Sequence, residues 1–180
     1  MRRLAALILG TVAAGILLCP AGCNRDRRKT QAEATIEEQA GLLTMLHVAD
    51  PKASLQLVKG FHEVSYNAWR WTMQSFSVVL RPPANASTRG ARLVLRLSVP
   101  EPVIQSLKSV TLAASVEGVA LAAETYTQPG AHVYTRDVPP SALRKDAVTV
   151  DFALDRHMPP TPADQRELGI VVSVIGFEAK

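Results

Sequence analysis

Cysteine is nearly missing from this chain of 180 residues, and the two it has, Cys19 and Cys23, both fall near the start. Everything after them can form no disulfide, zinc–thiolate site, iron–sulfur cluster or cysteine nucleophile. Aromatic residues make up 5% of the sequence and are not interleaved with a basic patch, which argues against nucleic acid as a partner. No Gly-x-Ser-x-Gly turn, glycine-rich phosphate loop or dinucleotide fingerprint occurs. His47, His62, His132 and His157 do not pair at metal-ligand spacing, and His62-Glu63 lacks the second histidine of a zinc protease helix. Asp151 and Asp155 share a face if they lie on a strand, but four residues span about 13 Å. Glycosidase pairs need roughly 5–9.5 Å, so a solvated strand face is the expected role. Asp155-Arg156-His157 with Asp164 reads as a salt-bridged loop. The expectation is a chain with no catalytic residues, no metal and no cofactor.

No apolar run reaches the roughly 20 residues of a membrane-spanning helix. The longest, Leu4 to Leu18, follows Arg2-Arg3 and is closed by Pro20 and Gly22. A basic start, a short apolar core and small residues describe a secretory signal over residues 1–22. Ala21-Gly22 directly before Cys23 resembles the lipobox of bacterial lipoproteins, although Pro20 stands where that family favours leucine. The resemblance implies cleavage before Cys23, acylation of its thiol and new amine, and attachment to the membrane of the cell envelope. Asn24 is not the aspartate that marks inner-membrane retention in such proteins, which favours the outer membrane.

The formal net charge is +4, but part of it is local. Arg2 and Arg3 would leave with the signal, and Arg25, Arg27, Arg28 and Lys29 follow the lipidation site. Each such charge near a bilayer can add about 1 kcal/mol of attraction to anionic headgroups. Residues 23–34 otherwise read as a lipidated cysteine and polar tether. Residues 35–54 read as a short helix and linker. Thr35 and Glu38 fit a capping box, and Ile36, Ala40, Leu43 and His47 share a helical face. Gly41 weakens that helix by roughly 1 kcal/mol, and Asp50-Pro51 ends it.

From residue 55 to 180 the period changes to two. Phe76, Val78 and Leu80 alternate with Ser75, Ser77 and Val79. So do Leu93 to Val99, Val110 to Val116, and Val148 to Leu154. Such alternation puts one sheet face in a core and the other in water. Ile170 to Phe177 is apolar at nearly every position, as in a central strand covered on both faces. Glu117-Gly118 marks a tight hairpin, Pro140 to Leu143 one helical turn, and the prolines otherwise fall between strands. The fold class is mainly β: an antiparallel β-sandwich preceded by a short helix and a flexible tether.

Three short motifs stand out: Gly60-Phe61-His62-Glu63, Asn67-Ala68-Trp69-Arg70-Trp71-Thr72 and Arg166-Glu167-Leu168-Gly169. Together they resemble a jelly-roll, carbohydrate-binding-like domain that recurs in bacterial envelope proteins and beside glycosyltransferase modules. That resemblance implies a fold; it carries over no catalytic or ligand residue. Trp69 and Trp71, two apart, share a strand face. With Tyr66 and Asn67 they would make a small saccharide platform; alternatively Trp71 fills the core and Trp69 seals an edge. Arg70 or Arg166 is expected to pair with Glu63 or Glu167 and tie the first and last strands together. The resulting reading is a non-catalytic envelope lipoprotein presenting a binding module for carbohydrate or glycoconjugate. The competing one is a structural or assembly lipoprotein that binds another envelope protein through the helix around Leu43 and an exposed strand edge.

Overall fold

The computed structural model describes residues 41–180. The expected signal, Cys23, the expected tether and the first part of the expected helix lie outside the described residues. Nine strands follow in chain order: β1 (Met45–His47), β2 (Leu57–Ser65), β3 (Trp69–Leu80), β4 (Ala91–Val99), β5 (Val110–Val116), β6 (Val119–Tyr126), β7 (Gly130–Val138), β8 (Val148–Leu154) and β9 (Val171–Ala179). Two short helices, α1 (Ala86–Arg89) and α2 (Glu101–Leu107), join strands. No helix among the described residues is long and apolar enough to cross a membrane.

All nine strands belong to one antiparallel sheet in the order β6-β5-β8-β3-β9-β4-β7, with β2 on β3 and β1 on β9. The alternation decides which face goes inward. Phe76, Val78, Leu80, Leu93, Leu95, Val99, Val110, Leu112, Val116, Val148 and Val150 are wholly buried, whereas Ser75, Arg92, Arg96 and Ala153 face water. Phe76 and Phe152 are cross-strand partners with stacked rings 4.8 Å apart, and Phe61 meets Phe76 edge-on at 5.5 Å. β9 is central, between β3 and β4, as its apolar run predicts. Glu117 and Gly118, both at positive φ, make the two-residue turn between β5 and β6.

A single sheet becomes a sandwich-like, nearly closed structure by dividing at β3. Arg70 and Trp71 pair with Val172 and Val171 of β9, but Ser75 to Leu80 pair with β8. The backbone between them bonds elsewhere. Thr72 N–H donates to Ile170 O at 2.8 Å, and Gly169 N–H donates to Thr72 O at 2.7 Å. The Thr72 hydroxyl oxygen accepts from Ile170 N–H, and the Glu167 carboxylate accepts from Gln74 N–H. Gly169 has to be glycine here, because a Cβ would lie 2.6 Å from Leu154 Cδ1 and 2.8 Å from Met73 O. Gly60, at φ +77°, lets bulged β2 press onto β3, where a Cβ would strike the Ser75 carbonyl and sit 2.7 Å from Phe76 Cα.

The outer ends of the sheet, β6 and β7, meet without a strand ladder among the described residues. Side chains replace it. Arg136 donates from Nε to Ala122 O at 2.7 Å and pairs with Glu124 at 2.9 Å, while its guanidinium lies 4.4 Å from the Tyr134 ring centre. Tyr134 Oη donates to the same Ala122 carbonyl at 2.8 Å.

Two expectations are corrected. The helix predicted to run to Ala49 gives way to β1 over Met45–His47. Leu46 and Val48 are buried with His47 exposed between them, a period of two hidden in a run that also fits a helical face. β3 pairs with β9 only at Val171 and Val172, and the stretch of β9 beyond them supplies partners that a helix would leave unused, pairing Leu46 with Ile175. Helical structure comes later, as a 3-10 helix over Pro51–Gln56 capped by Asp50, whose side chain accepts from Lys52 N–H. Its last residue, Gln56, is buried and uses its amide in full, accepting from Leu43 N–H and donating to Leu43 O and Val79 O.

The second correction concerns charge. No ion pair among the described residues joins Arg70 or Arg166 to Glu63 or Glu167. Arg166 turns to its near neighbour Asp164 at 2.7 Å, and that hydrogen bond holds the Asp164 carboxyl at about 2. Arg70 donates to the carbonyls of Val48 and His62 at 2.7 and 3.0 Å. Exposed Glu63 takes no part. The link from β2 to the segment before the last strand runs instead through a backbone acceptor, with His62 Nε2 2.6 Å from Glu167 O.

Candidate functional site

The turn between β2 and β3 sets the site. Tyr66 and Asn67 both have φ of 53°, and Ala68 N–H closes the turn onto Ser65 O at 3.1 Å. Asparagine tolerates this left-handed conformation; tyrosine does so at a cost of about 1–2 kcal/mol. The result is a Tyr66 side chain that is 89% exposed yet lies against Trp69, their ring centres 5.6 Å apart. Trp71 also meets Trp69, edge-on with ring centres 6.4 Å apart.

Trp69 walls one side of an open cleft of about 430 Å³ on the outer face of the β9-β4-β7 layer. β4 contributes Arg96 and Ser98, β7 contributes His132 and Val133, and β9 contributes Val171 and Ser173. The cross-strand register explains the grouping: Arg96 opposes Val133 and Val174, and Ser98 opposes Ala131 and Val171. No carboxylate lines the cleft. His132 is fixed by its ring, 4.8 Å from that of Tyr126, and by Nε2, 3.0 Å from Gln128 O.

The four residues expected to form a platform therefore divide. Trp69 lines the cleft, Tyr66 extends its aromatic surface, and Trp71 packs against the core behind it. Asn67 serves the turn. Arg96, Ser98, Val133 and Ser173 were not singled out in the sequence, and His132 was weighed only as a metal ligand. Arg96 and Ser98 do stand at outward positions of an alternating strand, the one signal that could have found them. Among the described residues no three His, Cys, Asp or Glu side chains cluster as a metal ion would require. A second groove, of about 440 Å³, lies on the other layer between Lys59, Ser75, Ser115, Asp151 and Ala153. It has alanine and serine where the first has an indole. No protein-family model and no curated protein matches this chain.

Proposed function

We propose that this chain is a non-catalytic envelope lipoprotein, anchored through acyl groups on Cys23, whose β-sandwich displays the Trp69 cleft as a saccharide-binding surface. The observation that carries the reading is the Tyr66–Trp69 pair beside an outward-facing cleft with hydroxyl and cationic side chains. Flat aromatic faces complement the apolar face of a pyranose ring, and a few convergent polar groups orient it. The turn accepts an unfavourable backbone at Tyr66 and gains exposed aromatic surface, a combination associated with function more than with packing.

Binding of the full chain, held in detergent, to a glycan array tests the ligand class. Trp69→Ala is expected to abolish binding while thermal unfolding stays cooperative. Unchanged binding by that variant would remove the cleft from the account. Mass spectrometry of protein from its native membrane tests the anchor: an acylated Cys23 at the new N-terminus supports it, and an intact residue 1–22 segment contradicts it.

A protein partner is favoured by a different surface. Leu55, in the 3-10 helix, is 89% exposed, and Val58, at the start of edge strand β2, is 55% exposed. Leu55→Asp with Val58→Asp would disrupt that partner and leave saccharide binding intact.

A further inference from the structure

Arg92 and Arg96 lie four residues apart on β4 and face the same side of the sheet. Their surroundings differ. Arg92 is flanked across the strands by Asp137 and Glu178, each 4.0 Å from its guanidinium. Arg96 is flanked by Val133 and Val174, and its guanidinium has no hydrogen bond or ion pair among the described residues. It is exposed and lines the cleft, which contains the indole of Trp69 and the hydroxyls of Ser98 and Ser173 but no acid. A fork of donors in that position matches a planar carboxylate or a sulfate.

We propose that the Trp69 cleft selects acidic saccharides, with Arg96 as the group that pairs with the sugar's carboxylate or sulfate. The sugar ring stacks on Trp69, its anionic substituent lies over β4, and Ser98 and Ser173 supply hydrogen bonds to hydroxyls. This rests on the saccharide reading of the same cleft. A neutral sugar would leave the guanidinium without a counter-charge, so the discrimination belongs to Arg96 and the stacking to Trp69.

The test uses an array of matched pairs: uronate oligosaccharides with their carboxyl-reduced forms, and sulfated oligosaccharides with their desulfated forms. The acidic member of at least one pair is expected to bind about tenfold or more tightly than its neutral partner. Added salt should narrow that gap. Arg96→Gln should bring the two members to equal affinity, Arg96→Lys should restore part of the preference, and Trp69→Ala should lose both. Equal binding of acidic and neutral members by the unaltered protein would overturn the acidic preference and leave the saccharide reading standing. An acidic preference unmoved by Arg96→Gln would also overturn it. Failure to bind any member would remove the saccharide reading and this inference together. Far-ultraviolet circular dichroism of each variant distinguishes a lost site from a lost fold.

Discussion

His62 Nε2 stands 2.6 Å from the carbonyl oxygen of Glu167, joining β2 to the segment that leads into β9. The Glu167 carboxylate reaches the Gln74 amide, where β3 leaves β9 for β8. Residues of two motifs distant in sequence thus meet at the division of the sheet, with Gly60 and Gly169 giving the close approach. The Trp69 cleft lies on one of the layers that this division creates.

Glycine at these two positions should therefore be costly to replace. Gly60→Ala combines a positive φ with a collision against β3, and Gly169→Ala a collision against Leu154 and Met73. Each is expected to cost about 2–4 kcal/mol of unfolding free energy. Gly118→Ala, with open space around it, should cost only the backbone term, about 1–2 kcal/mol. Urea midpoints check the ranking; equal losses at all three sites would contradict it.

Strand positions were largely legible, because burial of alternate residues leaves a period of two in the sequence. Phe76, Val78 and Leu80, and Val110, Leu112 and Val116, occupy the core positions that this period assigns. The Glu117-Gly118 hairpin was legible because two positive-φ residues fit so short a turn. β1 was not, since Leu46-His47-Val48 fits either period and only the part of β9 that β3 leaves unpaired decides between them. The cleft was half legible. Trp69 announces itself by its size, but its neighbours come from β4, β7 and β9, and only the register brings Arg96 opposite Val133.

Tyr126 Oη is buried with no hydrogen-bond partner among the described residues, and burial raises its pKa. An unpaired buried hydroxyl costs free energy that a phenylalanine does not incur. Tyr126→Phe is expected to leave stability unchanged or raise it by about 1 kcal/mol. A thermal unfolding midpoint that falls by several degrees would show that the hydroxyl is satisfied in solution.

Arg136 holds the β6–β7 seam through carbonyls and Glu124 rather than through a ladder. Arg136→Met keeps much of the stem and removes the donors. Hydrogen exchange of amides in residues 119–138 should then quicken, while β9 amides stay protected. Uniform acceleration through all strands would contradict a local seam.

The Glu117 carboxylate is held below its usual range, first by the hydrogen bond from Lys145 and next by the one from Thr149 N–H. A depressed folded-state value means that this contribution is complete above the ordinary glutamate range. It is lost as pH falls through the lowered value. Glu117→Gln should therefore cost stability at neutral pH, lose that cost as pH falls below the ordinary glutamate range, and so flatten part of the acid limb of the stability profile. Denaturation midpoints followed from neutral pH downward check this; parallel profiles for the two proteins would contradict it.

The chain has two tryptophans, so Trp71→Phe leaves Trp69 as the sole indole and makes its fluorescence a direct report on the cleft. Titration of that variant with the tightest-binding oligosaccharide from the array is the most direct measurement. Stacking of a sugar on Trp69 predicts a saturable change in emission intensity or wavelength that follows the binding curve. Binding that saturates while the Trp69 emission stays constant would place the ligand elsewhere and contradict the account.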